Sequence, residues 1–338
     1  MKLIALIILG LAIPLITCSE SEAVVTHLKT VKVANPIKYK NLTIFPLTMR
    51  TMSSTDYVPL DKAMKSNWLK IREIGDGEVN SVELRNTGNK IVFIMTGEML
   101  SGAKQDRMLR EDVLVPPNSG WLRVPVYCVE HGRWVSVSSN FKPAKEVAPN
   151  QLRQRARITE NQSEVWDAIA SSQDRLGIAS GTSTVQANYE DERIKNELAE
   201  YTLHLGKIPR LTKNTVGVVV ATGERVICVD IFANNKLLME FWNKLLRSYI
   251  MDAILESEAV VTKKEVEGLL NELSTARYTS IGTPGLGDLY KIETDFGKGN
   301  ALFDKGMAVH LDFFLDESQD ADDDEWRLDI RRDQRLND

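Results

Sequence analysis

Two short runs concentrate the side chains capable of chemistry. Residues 96–107 read Thr-Gly-Glu-Met-Leu-Ser-Gly-Ala-Lys-Gln-Asp-Arg, so Glu98 precedes a glycine turn carrying Lys104, Gln105, Asp106 and Arg107. Lysine and arginine this close together can hold an anion, one as a point charge and the other through forked N–H donors. The second run, Cys128-Val129-Glu130-His131-Gly132-Arg133-Trp134, adds a carboxylate, an imidazole and a guanidinium,. Read together, Lys104, Arg107 and Arg133 would clamp a small anionic ligand and Gln105 would orient it. Glu98 and Glu130 would hold those cations or contact hydroxyls. Alternatively, Glu98 and Glu130 form the acid–base pair of a metal-independent hydrolase, if the fold sets them a glycosidase distance apart. The bland reading is a polar loop with paired charges, Trp134 in the core, and a structural envelope protein held by buried salt bridges.

Other chemistries find less support. Cys128 as a nucleophile needs His131, yet residues three apart on an extended strand point to opposite faces. The four histidines are scattered, and neither HExxH nor CxxC occurs, so no metal is implied,. Asp320, Asp322 and Asp324 imitate the start of a calcium loop but lack its glycine and closing glutamate,. Gly282-Thr283-Pro284-Gly285-Leu286-Gly287 matches neither a dinucleotide fingerprint nor a phosphate loop, so no cofactor is implied,.

The elements that must position these runs come in blocks. Ser81–Arg85 alternates, Asn86–Asn89 offers turn chemistry, and Ile91–Met95 is continuously apolar, which predicts a hairpin whose second strand is buried on both faces,. Val113–Val115 and Trp121–Glu130 are strands around a Pro-Pro-Asn-Ser-Gly turn. Gln151–Thr159 is a basic helix with Arg153 and Arg157 on one face. Ser163 looks like the N-cap of the next helix. Leu176–Asn188 is a Gly/Ser/Thr-rich loop, and Ile194, Leu198, Tyr201 and Leu205 recur at helical spacing,. A second hairpin spans Val216–Phe232, and the strongest helix follows, striped by Leu238, Phe241, Trp242, Leu245, Tyr249 and Ala253,. Thr262 and Glu265 form a capping box. Gly282–Gly299 is loop with a short strand, and Ala308–Phe314 a last strand. Blocks of hairpins and helices without strict βαβ alternation give an α+β fold in a single domain over residues 41–315.

A 338-residue chain, 43% hydrophobic and 26% charged, is neither disordered nor collagen-like,. Its net charge of −5 argues against nucleic-acid binding,. Lys2 precedes an apolar run, Leu3–Ile16, too short to span a bilayer and suited to a signal peptide over residues 1–17,. Leu15-Ile16-Thr17-Cys18 resembles a bacterial lipobox, with Thr17 where Gly, Ala or Ser is usual. A diacylated Cys18 would anchor the chain to the membrane as a bacterial envelope lipoprotein; the alternatives are plain secretion and an uncleaved anchor, and in each the domain lies outside the cytoplasm. Residues 18–40 read as a tether or an edge strand, and 316–338 as an acidic, solvated tail. Cys128 and Cys228 would then face an oxidising compartment; a bridge is open to them, but two buried thiols are favoured.

Taken in order, Gly97-Glu98, Gly102-Ala103-Lys104-Gln105, Arg107, Leu114-Val115-Pro116, Val124-Pro125-Val126, Cys128-Val129-Glu130 and Gly132-Arg133-Trp134 resemble the ARG and Rhodanese-Phosphatase-superfamily-associated protein domain, where ARG stands for ADP-ribosylglycohydrolase. Later pieces agree: Glu164-Val165-Trp166, Gly217-Val218-Val219, Asp230-Ile231-Phe232 and Trp242–Tyr249. The likeness runs from Asn41 to Phe314. Asp106 and His131 depart from it, standing where that family tends to have Asn and a small or polar residue. The resemblance implies that polar motif positions fall on Glu98, Lys104, Gln105, Arg107, Glu130, Arg133, Asp230 and Arg247. The family's name records genomic association, not an activity.

Overall fold

The computed structural model describes residues 19–316 except 139 and 259. The expected signal peptide, Cys18 and the acidic tail beyond Asp316 lie outside the described residues. The apolar runs on either side of Thr222-Gly223-Glu224 pair as the hairpin Thr215–Thr222 and Arg225–Phe232, as expected. This hairpin is the middle of a nine-stranded antiparallel sheet. Beyond Thr215–Thr222 lie Leu42–Thr48 and Lys32–Val33, with Ile37–Tyr39 also on Leu42–Thr48. Beyond Arg225–Phe232 lie Met307–Leu315, Gly297–Asp304, Asp288–Thr294 and Arg277–Ile281.

Side-chain alternation gives the large sheet two buried faces. Val216, Val219 and Ala221 join one apolar cluster, covered by the helices Ser19–Thr30 and Lys263–Leu273. Val218 and Val220 join the other, with the helices Asn150–Thr159, Gln162–Leu176, Glu192–Leu205 and Asn235–Ala253. The last of these is the striped helix, with Phe241, Trp242, Leu245 and Tyr249 buried. A six-stranded sheet runs Phe141–Val147, Glu98–Gly102, Arg107–Leu109, Leu122–Cys128, Ser81–Asn86, Leu69–Glu73. A three-stranded sheet runs Val113–Val115, Val92–Ile94, Val58–Pro59, and a third cluster including Val82, Leu109, Val113 and Val124 fills the space beside both. The fold is α+β in a single domain.

Four local expectations are corrected. Ser81–Asn86 and Val92–Ile94 are not a hairpin: the first pairs with Leu122–Cys128 and the second with Val113–Val115, in different sheets. Asn86 makes the transfer, its buried amide donating to the carbonyls of Lys90 and Pro116. Of the two readings for residues 19–40, the edge strand holds for Lys32–Val33 and Ile37–Tyr39, which pair with Leu42–Thr48, but Ser19–Thr30 is a helix rather than a tether, its Val24 and Leu28, four apart, buried against the large sheet's cluster,. Gly282–Gly299 is mostly the hairpin Asp288–Thr294 and Gly297–Asp304. Gly299 sits in that strand because an added Cβ would lie 2.1 Å from the Asp312 carbonyl oxygen,. The cap of the helix Gln162–Leu176 is Asn161, not Ser163, whose N–H donates to the Asn161 side chain. Cys128 and Cys228 are both buried free thiols.

Candidate functional site

The two motif runs meet because of strand pairing. Glu98–Gly102 and Arg107–Leu109 form a hairpin whose turn is Ala103-Lys104-Gln105-Asp106. Arg107 then pairs across to Cys128, so the end of Leu122–Cys128 delivers Glu130 and Arg133 beside that turn. Gln105 Nε2 donates to the Glu130 carbonyl at 3.0 Å, and the Asp106 N–H to Glu130 Oε2 at 3.2 Å. Arg133 donates to Glu130 Oε2 at 2.5 Å, to Asp106 Oδ1 at 3.3 Å and to the Ala103 carbonyl at 2.8 Å. Thus Glu130 and Asp106 hold Arg133, as an anion clamp's supporting carboxylates would.

Three residues of the Gly/Ser/Thr-rich stretch Leu176–Asn188 complete the cluster. Thr182 donates to Glu130 Oε1 at 2.9 Å, Thr184 to Asp106 Oδ2 at 3.4 Å, and Gln186 Nε2 to Asp106 Oδ2 and Ser101. Their only signal was hydroxyl and amide enrichment between two helices. Lys104 turns outward: its ammonium donates to the Asp76 carbonyl and lies 5.2 Å from the Trp134 ring centroid. Trp134 is half exposed rather than core. His131 stacks on Trp166 with ring centroids 4.1 Å apart.

Arg107 differs from every other member. It is 0% exposed, and its NH1 donates to Gln105 Oε1 at 3.0 Å. Its Nε and NH2 have no hydrogen-bond partner among the described residues. Burial pulls its pKa down, while the Glu130 carboxylate beside Arg133 pushes that guanidinium's up,. Burial, and then Glu130, raise Asp106.

The remaining candidates lie elsewhere. Glu98 does not join Glu130; its Oε2 accepts the Met95 N–H at 3.0 Å and its Oε1 lies 3.3 Å from Lys244, which also pairs with Asp61 at 2.8 Å. Glu98 and Glu130 share no partner, and burial lifts the Glu98 carboxyl to about 7. Asp230 is fully buried: Arg153 at 2.8 Å, His310 Nε2 at 3.2 Å and the Tyr249 hydroxyl at 2.6 Å occupy its oxygens. His310 Nδ1 meets Asp112 at 2.7 Å, and Arg157 meets Asp312 at 2.8 Å. This sealed network balances three carboxylates against two guanidiniums and an imidazolium, leaving Asp230 no surface for a ligand. The sequence held a signal for it: Asp230, His310 and Asp312 interrupt apolar strands, and Arg153 with Arg157 shares a helix face. Arg247 stands on a separate hollow and pairs through Nε with Glu146 at 2.8 Å.

No curated protein and no solved structure is similar enough to be matched to the chain. A family model does match, over residues 30–314, a span that takes in both motif runs and the edge strands before Asn41. The chain therefore belongs to the family described as ARG and Rhodanese-Phosphatase-superfamily-associated Protein domain.

Proposed function

We propose that this protein is an exported, lipid-anchored module that binds a small anionic ligand, of nucleotide or sugar-phosphate kind, where its two motif runs meet. The observation that carries this reading is the Arg107 guanidinium, buried with two nitrogens unpartnered. An unmade hydrogen bond on a buried charged donor costs at least about 1–3 kcal/mol. Nearby carboxylates are engaged elsewhere: Glu130 and Asp106 by Arg133, and Glu73 by the Lys104 N–H. An oxyanion would supply the missing acceptors and restore the guanidinium's charge preference. Gln105 orients Arg107 from one side, as a positioning group.

On this reading the ligand enters beneath residues 133–138. This segment turns Trp134, Val135 and Val137 outward, so few apolar contacts hold it down,. It is fastened mainly at Ala103, through the Val137 N–H, the Ser138 hydroxyl and Arg133. Ala103 itself takes φ 47°, a conformation costly for a residue with a Cβ and common where ligands are held,. The hydrolase reading rests on the raised Glu98 carboxyl alone.

The test is a thermal-shift screen of the mature chain against nucleotides, sugar phosphates and glycans, repeated on Arg107→Leu. Removing an unpaired buried charge relieves strain, so the variant should melt at or above the parent temperature while losing the ligand-induced shift. A variant that melts several degrees lower, or keeps its ligand shift, overturns the proposal.

A further inference from the structure

The strand Phe141–Val147, the short helix Gln186–Glu190, the helix Glu192–Leu205 and the long helix Asn235–Ala253 enclose an open hollow of about 300 Å³. Arg247, Lys145 and Lys195 line it with Glu146 and Glu190, over a floor containing Met99 and Ala144. We infer that this hollow is a second binding site, distinct from the Arg107 cluster, that takes a small hydroxylated monophosphate through Arg247.

The Arg247 guanidinium is held but not used up. Glu146, nearly buried, takes its Nε at 2.8 Å, and the guanidinium stands 6.0 Å from the Tyr189 ring centroid. An arginine present only to neutralise Glu146 would present two parallel N–H donors to it, the stronger geometry. Here the two-nitrogen end has no hydrogen bond among the described residues and stands on the wall of the hollow. That end fits two oxygens of a phosphate. Tyr189 stays a neutral phenol, because burial raises its pKa well above the usual value, and its hydroxyl donates to the Val147 carbonyl at 3.0 Å. It therefore adds no negative charge beside the anion.

The rest of the wall selects the body of the ligand. Lys145, together with Lys195, whose ammonium also pairs with Glu192 at 2.7 Å, favours one anionic head, while Glu190 and the second Glu146 oxygen can accept from hydroxyls,. The volume is at the low end for ligand sites, enough for a single sugar ring with its phosphate and short of a dinucleotide. Gln186, whose amide nitrogen is tied to Asp106 and Ser101, forms the wall shared with the motif cluster.

Isothermal titration with ribose 5-phosphate, inorganic phosphate and ribose tests this on the mature chain. Ribose 5-phosphate should bind at least tenfold more tightly than phosphate, ribose should not bind, and added salt should weaken the complex. Arg247→Lys keeps the charge beside Glu146 and the melting temperature but loses the fork, so its affinity should fall at least tenfold. Lys195→Ala, a surface change that cannot unfold the chain, should weaken binding several-fold. Unchanged affinity in Arg247→Lys overturns the inference, as does the absence of any binding at millimolar ligand. Binding that disappears in Arg107→Leu but survives in Arg247→Lys also overturns it, by assigning the ligand to the motif cluster.

Discussion

Arg107 and His310 are both buried cations, and their surroundings give them opposite fates. Arg107 lacks a bonded carboxylate and its pKa is lowered, whereas Asp112 and Asp230 push His310 up to about 10. A raised histidine stabilises the fold fully below its unfolded pKa, near 6.5, and that contribution is lost as pH climbs toward 10. Glu98 acts in the same direction lower down: folded, it keeps a proton to about 7 that the unfolded chain releases near 4.5, so stability declines across that window,. Asp230, held low chiefly by Arg153, works the other way and loses its contribution on acidification below the ordinary aspartate range. His27, whose pKa burial lowers to about 4, makes stability rise between about pH 4 and 6.5 and so offsets Glu98 there,. The melting temperature measured by calorimetry should therefore change little from about pH 4.5 to 6.5 and fall from there to 10. Glu98→Gln should make the section between 4.5 and 6.5 rise with pH and leave the section above 7 unchanged. Single residues were partly legible in advance. The arginines and glutamates of both motifs stood out, but which of them were paired did not, because the deciding contacts join residues up to 146 positions apart.

Among the elements, those with self-contained signals were readable. The long helix declares itself by its stripe, and the helix Lys263–Leu273 by the Thr262–Glu265 box, which forms as expected. The Val216–Phe232 hairpin likewise needed only its own turn. Where a strand's partner is distant, as for Val92–Ile94 against Val113–Val115, local alternation misassigned the neighbour. Helix Asn150–Thr159 shows a related limit. The sequence shows only that its basic residues share a face; that face enters the core, carrying Arg153 to Asp230 and Arg157 to Asp312. Gly97 makes that entry feasible. It takes φ 82°, and a Cβ there would sit 2.9 Å from Arg153 Cγ and Cδ. Gly97→Ala should thus displace Arg153 from a fully buried ion pair and cost about 3–5 kcal/mol. Urea denaturation would show this as a lowered midpoint at constant slope; a loss under 1 kcal/mol would mean that the arginine moves aside freely.

At the scale of the whole molecule, the sealed charge network joins parts that the three apolar clusters keep separate. Strands of the large sheet give Asp230, His310 and Asp312, the helix Asn150–Thr159 gives two arginines, and Asp112 comes from beside the three-stranded sheet. Breaking such a network is costly even where forming it gains little, which favours one register between sheets. The α+β class was legible from block order; the division into three sheets was not, since it depends on which strand ends turn away. Among the described residues no helix is long and apolar enough to cross a membrane. On the lipoprotein reading, attachment rests on Cys18. Detergent phase partitioning of the full-length chain expressed in a bacterium should send it to the detergent phase and Cys18→Ser to the aqueous phase; an aqueous wild type would sink the anchor. If the lipid is there, the helix Ser19–Thr30 begins at the very next residue and is docked against Lys263–Leu273 and Met307–Leu315. Each residue of extended chain would have added about 3.3 Å of reach. With that slack spent, the protein would ride close to the lipid headgroups on that flank, swivelling little.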